Sequence, residues 1–156
     1  LALRASLANR QLPLSKALCS QMKISTFEAK CSDCKEIFAH PSLGDMSYGQ
    51  VIFYSTDGKN QVLVSAFSEF ATKLKPLVSS NKAGAFWKAL ALFADPIQGQ
   101  PFSLGVRCSQ CGSSNIEYWE GVKLGAIELA DVSFSKALTL TEAEIGERIA
   151  QNGANA

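Results

Sequence analysis

The sequence is poor in the residues that catalysis, phosphate binding and membrane insertion require. It has one histidine, His40, and no nucleophile motif, so a Ser/His/Asp arrangement cannot be argued from it. Glycine-rich phosphate-binding loops are also absent. The longest apolar stretch, Ala85–Ala94, is interrupted by Lys88 and is shorter than the ~20 residues that cross a bilayer. We therefore predict no catalytic residue, no cofactor-binding loop and no membrane contact, and we interpret His40 as a lone histidine in a surface loop.

Charge of one sign is also lacking. The 156 residues carry a formal net charge of +1, which gives no global reason to expect nucleic acid as a partner. Around the cysteines, cations and acids are interleaved, at Lys30, Lys35 and Arg107 and at Asp33, Glu36 and Glu117. We therefore favour a role for these cations in offsetting the negative charge of a metal–thiolate centre. Nucleic-acid binding stays open as an alternative but is not favoured.

Acidic residues are missing from the first 21 positions. The cations there are Arg4, Arg10 and Lys16. A start of this composition resembles an organellar presequence. The alternative is that Met22 is the native first residue and that the preceding stretch is translated upstream sequence or a remnant of cloning. We favour the alternative, and we expect residues 1–21, with Cys19, to lie outside the fold.

Against these absences stand two matching Cys-x-x-Cys pairs, Cys31 with Cys34 and Cys108 with Cys111. Each pair follows a stretch of alternating apolar residues, at 27–31 and at 104–108. Side chains two positions apart in a strand share a face, so two such strands lying side by side would bring the four thiolates together. Four sulfurs in a tetrahedron are the ligand set of structural zinc sites. The spacing predicts a structural Zn²⁺ site held by Cys31, Cys34, Cys108 and Cys111.

The cysteine count is five, and paired Cys-x-x-Cys spacing with a spare thiol is typical of a reducing compartment. We therefore expect a cytoplasmic protein. A thiol–disulfide enzyme would place one Cys-x-x-Cys pair at the start of a helix in a βαβ unit, whereas both pairs here follow predicted strands. A rubredoxin-like iron site, or a pair of cycling thiols, stays open as a weaker alternative to zinc.

Apart from the stretch at 104–108, alternation and turn signals predict four strand regions. They are Ser25–Phe38, interrupted by the first cysteine pair, Gln50–Val64, Ile116–Trp119 and Gly125–Phe134. The second region is a hairpin around Asp57-Gly58, a favoured two-residue turn. Across that turn the expected pairs are Val51 with Val64 and Phe53 with Val62. Residues 40–45, before the hairpin, are predicted to form a turn-rich loop.

Apolar periodicity and capping signals predict three helices. The first carries its apolar face at Phe67, Phe70, Ala71 and Leu74. Pro76 ends or kinks this helix. The second helix spans Lys82–Ala94 and is stopped by Asp95-Pro96. The third opens at the capping-box sequence Thr141–Glu144 and runs to about Ala150.

These elements predict an α+β fold, a zinc ribbon of two Cys-x-x-Cys knuckles split by a β-hairpin and a two-helix insertion, with a short C-terminal helix. We expect residues 22–151 to form a single domain with its insertion at 40–101, and residues 152–156 to fray. The cysteine pairs lie much further apart than the ~15–20 residues of a compact paired-knuckle site. Because a structureless loop of this size is unlikely in a compact domain, the insertion should fold. The expected contacts join Val51, Phe53, Val62 and Val64 to Phe67, Phe70, Leu74, Leu90 and Phe93.

From Phe27 to about Ile149, the order of features resembles a group of uncharacterised bacterial zinc-ribbon proteins. The matching pieces are the two cysteine pairs, Ser47-Tyr48-Gly49-Gln50 before the hairpin, Gly112-Ser113, Trp119-Glu120 and the late Leu140-x-x-x-Glu144 helix. The resemblance implies a ribbon fold and a bound metal, and it implies no particular activity. Lys35 departs from the pattern, since zinc knuckles often place a glycine after their second cysteine.

Because a metal site and helices are present and catalytic groups are not, we expect a non-catalytic, zinc-stabilised binding or adaptor module. We predict that its partner is a protein, or a second copy of the chain, bound through the helical insertion. The apolar residues that nearly encircle the second helix are Phe86, Trp87, Leu90, Leu92 and Phe93. A helix buried on most sides is the favoured interpretation of that pattern, and a docking surface is the other. Tyr118 and Trp119, beside the second cysteine pair, allow the same two interpretations.

Overall fold

The computed structural model describes residues 22–44, 47–79 and 81–153. Its strands are β1 (Lys23–Cys31), β2 (Ile37–Pro41), β3 (Gln50–Ser55), β4 (Gln61–Ser65), β5 (Phe102–Leu104), β6 (Ile116–Tyr118), β7 (Lys123–Glu128) and β8 (Ala130–Asp131). Its α-helices are α1 (Glu69–Leu74), α2 (Ala85–Phe93) and α3 (Glu142–Gly153). Short 3₁₀ turns span Lys75–Leu77 and Ala137–Thr139. The predicted leader, with Cys19, lies outside the described residues. No helix in the described ranges is both long and apolar enough to cross a membrane.

The first sheet is built around β1. The strand pairs antiparallel with β2 on one side. On its other side it pairs antiparallel with β7 along its first half and with β6 at its last two residues, Lys30 and Cys31. The first cysteine pair forms the turn between β1 and β2, so the predicted order of strand, knuckle and strand is confirmed.

The second sheet has the order β5-β3-β4-β8, with β8 parallel to β4 and the other pairs antiparallel. The β3–β4 hairpin turns at Asp57-Gly58 and pairs Val51 with Val64 and Phe53 with Val62, as the sequence predicts. The strand predicted at Gly125–Phe134 is instead two strands in different sheets, β7 and β8. The chain breaks between them at Leu129, whose side chain is buried between the sheets.

The two faces of the second sheet are both buried. One face packs against the helices in a helix-side core whose members include Phe53, Val62, Val64, Phe70, Leu74, Leu90, Phe93, Phe134 and Ile145. The other face packs against the first sheet in an inter-sheet core formed by Ile24, Ile52, Tyr54, Leu63 and Leu129. Successive residues of a strand point to opposite faces, so β3 contributes to both cores. The result is three layers: helices, second sheet and first sheet.

The predicted packing of the hairpin on the helices is confirmed with one exception. Phe67 lies outside the core with 79% of its surface exposed, because α1 begins only at Glu69 and Phe67 belongs to the preceding turn. Its ring instead lies over Gly49, where an added Cβ would come within 2.8 Å of it. The apolar spacing of Phe67 was therefore misleading, while Phe70 and Leu74 are fully buried.

Helix boundaries follow the local signals closely. Pro76 lies in a 3₁₀ turn directly after α1, so the helix stops where predicted. The α2 helix begins at Ala85 rather than at Lys82, because Gly84 precedes it in a left-handed conformation with a φ of 79°. The capping box of α3 is present: the backbone N–H of Thr141 donates to the Glu144 carboxylate at 2.7 Å, and the Glu144 N–H donates back to Thr141 Oγ1 at 3.3 Å. This helix continues to Gly153, beyond the predicted end near Ala150. The prediction that the chain frays from residue 152 is therefore wrong for residues 152 and 153, and its remainder, 154–156, lies outside the described residues.

Candidate metal centre

The four predicted cysteines meet at the end of β1. Their Sγ atoms all lie within 4.8 Å of one another. The Sγ atoms of Cys31 and Cys111 are 3.7 Å apart, and those of Cys34 and Cys108 are 3.6 Å apart. Sulfurs bound at about 2.3 Å to one zinc ion lie about 3.8 Å apart in a tetrahedron. The sulfur positions therefore fit a single tetrahedral metal ion.

The first knuckle, residues 31–35, is held inside the first sheet. The Lys35 N–H donates to the Cys31 carbonyl oxygen at 3.1 Å, and the Cys31 N–H donates to the Glu36 carbonyl oxygen at 2.9 Å. Lys35 has a φ of 64°, a left-handed conformation that favours glycine. Lys35 thus adopts the backbone conformation for which zinc knuckles often use glycine, and the chain continues directly into β2.

The second knuckle, residues 108–112, repeats this hydrogen-bond frame. The Gly112 N–H donates to the Cys108 carbonyl oxygen at 2.8 Å, and the Cys108 N–H donates to the Ser113 carbonyl oxygen at 2.9 Å. Gly112 has a φ of 74° and occupies the position that Lys35 holds in the first knuckle. Two segments that are distant in sequence therefore present their sulfurs in the same local geometry.

The strand that leads into the second knuckle is not where the sequence predicts it. β5 ends at Leu104 and pairs with β3 in the second sheet, so the prediction that the two cysteine-bearing strands lie side by side is wrong. Instead β6, which leaves the second knuckle, pairs with β1, and Ile116 lies opposite Cys31. The knuckles meet because the strand after the second one, rather than the strand before it, joins the first sheet.

A carboxylate bridges the two knuckles. Asp33 accepts hydrogen bonds from the Ser113 hydroxyl and from Asn115 Nδ2, the latter at 3.2 Å. The Ser32 N–H donates to the Asn115 carbonyl oxygen at 2.8 Å. The hydrogen bond from Ser113, followed by that from Asn115, lowers the pKa of Asp33 below its usual value. Asp33 therefore acts as an ionised acceptor that ties the first knuckle to the second.

The hairpin turn of the insertion lies directly against the second knuckle. A Cβ added at Gly58 would lie 2.1 Å from the Cys108 carbonyl oxygen, and one added at Gly112 would lie 2.8 Å from the Thr56 carbonyl oxygen. Both glycines have positive φ, 74° in each case. Glycine is required here because the two backbones approach too closely for any side chain. The sequence marks Asp57-Gly58 as a turn, but it does not show that the turn supports the cysteines.

Backbone N–H groups point at the sulfurs and shape the acidity of the thiols. The N–H of Cys34 directed at Cys31 is the main cause that lowers the pKa of the Cys31 thiol to about 7, against burial. The N–H of Glu36 favours the Cys34 thiolate, but burial and the neighbouring thiols outweigh it and raise the pKa of Cys34 to about 12. One thiol thus ionises readily and its neighbour resists, because a second negative charge so close to the first is unfavourable.

The cations that flank the cysteines have partners of their own. Lys30 Nζ lies 3.2 Å from one oxygen of the Glu117 carboxylate, and Lys35 Nζ lies 4.0 Å from the other. Arg107 donates to the Gly112 carbonyl oxygen at 3.1 Å and so braces the second knuckle. Around the centre, the described cations and acids form local pairs rather than a basic stripe.

His40 is buried, so its interpretation as a surface-loop histidine is wrong. It lies in β2 opposite Phe27 and is only 3% exposed. Its Nδ1 lies 3.1 Å from the Pro41 carbonyl oxygen and 3.4 Å from the Tyr54 hydroxyl, and its Nε2 contacts the Trp119 carbonyl oxygen. These contacts join β2 of the first sheet to β3 of the second sheet and to the segment that follows β6. The turn signals of residues 40–45 predict a loop from His40 onward, whereas β2 extends to Pro41.

Comparisons with protein-family models, curated proteins and solved structures give no match for this chain. The resemblance to bacterial zinc-ribbon proteins therefore identifies no family. The fold is a mixed α+β arrangement of two sheets and helices, in which four cysteines are placed to bind a metal ion.

Proposed function

We propose that this chain is a zinc-binding protein in which a structural Cys₄ zinc centre holds together a non-catalytic binding module. The observation that carries the proposal is the convergence of four cysteine sulfurs at separations that fit one tetrahedral zinc ion. The two knuckles come from distant parts of the chain. A metal that joins them would therefore couple its binding to folding.

A zinc-ribbon arrangement is supported by the strands around the centre. The first knuckle connects β1 and β2, and the second leads into β6, which returns to pair with β1. The insertion and the C-terminal part share the helix-side core, since Phe53 of the hairpin belongs to it together with Phe134 and Ile145. This shared core supports residues 22–151 as one domain.

We infer a non-catalytic role because the four cysteines supply all the ligands that a tetrahedral zinc ion needs. Catalytic zinc sites keep one coordination position open for water or substrate, whereas four protein sulfurs close the tetrahedron. Cys31 and Cys108 are fully buried, which further restricts access from one side of the centre. The proposed role of the metal is thus to fix the surrounding surface.

Protein is favoured over nucleic acid as the partner. Two of the cations beside the centre, Lys30 and Lys35, face the same Glu117 carboxylate, which reduces the positive potential available to a phosphate backbone. Nucleic-acid binding predicts a gel-shift with DNA or RNA that weakens steeply with salt, and the absence of binding at low salt would remove it.

The test is metal analysis of protein purified without added metal, by mass spectrometry against protein concentration. We expect about one zinc per chain and a fall in melting temperature when a chelator strips it. Iron in its place, recognised by a coloured protein, would establish the rubredoxin-like alternative. A folded, metal-free chain whose stability is unchanged by added zinc or iron would overturn the metal-centre proposal.

A further inference from the structure

A groove lies beside the metal centre, between the segment that enters the second knuckle and the segment that leaves it. It encloses about 400 Å³ and is lined by Leu104, Gly105, Val106, Ser114, Ile116 and Trp119. A neighbouring open depression of about 330 Å³ shares four of these residues and continues toward His40 and Tyr54. Volumes of this size are typical of sites that hold ligands.

Unpaired main chain borders the groove. Gly105 and Val106 make no backbone hydrogen bond to any residue in the described ranges. β5 is the last strand of the second sheet on this side, and its outer edge has no partner among the described strands. Free N–H and C=O groups along such an edge are a template for an added strand. Gly105 also leaves its surroundings open, since nothing lies within 4 Å of the position a Cβ would take.

The lining is uncharged and, apart from Ser114, apolar. No lysine, arginine, aspartate or glutamate contributes to the groove. Trp119 and Leu104 remain 51% and 38% exposed, so an indole face and an aliphatic side chain are available for contact. A charged group placed here would lose its hydration without gaining a partner. Side chains that occupy the groove should therefore be uncharged and apolar or aromatic.

Two walls of the groove pack against the metal centre. Val106 and Ile116 pack against the cluster that contains Cys31 and Cys108. The backbone of Trp119 is held by its contact with His40, so the indole projects from a fixed position. Preorganised walls of this kind reduce the entropy lost when a flexible segment binds.

We propose that this groove binds an extended, uncharged peptide segment of a partner protein, which adds a strand along the free edge at β5 and Val106 and places an aromatic side chain against Trp119. The inference deepens the proposed function and rests on it, because the metal centre supports Val106 and Ile116. It places the partner at β5 and Val106 rather than on the exposed face of α2 that carries Leu92. The α2 helix itself packs against β5, and Leu104 lies 3.8 Å from the position of a Cβ added at Gly84, directly before this helix.

The experiment uses metal-loaded full chain carrying Trp87→Phe, which leaves Trp119 as the sole tryptophan. The probe is a library of acetylated, amidated heptapeptides with phenylalanine at the centre and threonine, valine, serine or glutamine elsewhere. We expect saturable binding with a blue shift of the Trp119 emission. With a labelled copy of the best peptide, fluorescence anisotropy should show that Trp119→Ala weakens binding about 10-fold or more. Leu92→Ala is the matched control and should leave the affinity unchanged.

Main-chain recognition is tested with the same peptide N-methylated at alternate residues, which should bind about 10-fold more weakly. Equal affinity of the methylated peptide would show a side-chain pocket and overturn strand addition. Binding that Leu92→Ala abolishes and Trp119→Ala spares would move the site to α2. Metal content is measured on the same samples: full occupancy with no peptide bound overturns only the groove, whereas absence of metal overturns the proposed centre.

Discussion

The two knuckles share a hydrogen-bond frame but differ in what supports them. The first connects β1 to β2, strands adjacent in sequence, and it tolerates Lys35 at its left-handed position. The second follows a segment outside any strand, and it requires Gly112 because the hairpin turn of the insertion lies against it. One half of the metal site is therefore built locally, while the other half depends on the folding of a distant segment.

This difference gives the long insertion a role in the site. The turn at Gly58 contacts the carbonyl oxygen of Cys108, and the hairpin that carries the turn is buried on both faces. A defect in the insertion should thus reach the metal through the second knuckle. The first knuckle should be affected less, because its frame is formed within the first sheet.

The largest effect is expected from removing a ligand. Cys108→Ser and Cys31→Ser should each lower metal affinity more than about 100-fold. Loss of a residue that only orients a ligand lowers affinity by up to about 100-fold, so loss of a ligand itself should lower it further. Both positions are buried, so the serine hydroxyl also loses its hydration. A chromophoric chelator measures the affinity and a thermal melt measures stability. Cys19→Ser is the control and should change neither. Full zinc occupancy in Cys108→Ser would contradict the four-sulfur assignment.

The next effect tests the dependence on the insertion. Phe53 is fully buried in the helix-side core, so Phe53→Ala should cost about 3–5 kcal/mol of unfolding free energy. It should also weaken metal binding, although Phe53 is not a ligand. Phe67→Ala, at an exposed aromatic, is the matched control and should cost less than about 1 kcal/mol. Denaturant unfolding of both variants measures the difference, and wild-type metal affinity in a destabilised Phe53→Ala protein would separate the insertion from the site.

A more local test compares two glycines with similar φ angles. Gly58 has a φ of 74° and Gly99 a φ of 77°, but only Gly58 lies against the second knuckle. Both alanine substitutions cost about 1–2 kcal/mol for the left-handed conformation. Gly58→Ala should add about 1–3 kcal/mol of overpacking and should lower metal affinity, whereas Gly99→Ala should leave affinity unchanged. Equal metal affinity in the two variants would show that the hairpin turn does not position Cys108.

The sequence predicts those features of the fold that depend on neighbouring residues. The hairpin register around Asp57-Gly58 and the capping box at Thr141 follow from local turn and capping chemistry. The four metal-site cysteines are predictable because their spacing is a ligand pattern. Each of these signals occupies a few consecutive residues, so tertiary context has little power to change it.

The predictions that are wrong concern contacts between segments that lie far apart in the sequence. Alternation before Cys108 indicates a strand, but it carries no information on which sheet β5 joins. The burial of His40 depends on Tyr54 and on the Trp119 carbonyl, groups that lie far from it in sequence. The contact between Gly58 and Cys108 is also a backbone approach between remote segments. Such contacts arise from the packing of whole layers, and a single sequence does not specify them.

The smallest effect is expected at Lys35, whose counterpart in the second knuckle is Gly112. Lys35 has a φ of 64°, so Lys35→Gly should be more stable than Lys35→Ala by about 1 kcal/mol, because only the alanine Cβ conflicts with the left-handed backbone. Both variants lose the 4.0 Å contact with Glu117, so that loss cancels in the comparison. Gly112→Ala is the reciprocal variant, and it should cost more, since its Cβ would also meet the Thr56 carbonyl oxygen at 2.8 Å. Thermal melts of the zinc-loaded proteins measure both differences. If the stability difference between glycine and alanine were equal at positions 35 and 112, the hairpin would impose no extra constraint on the second knuckle.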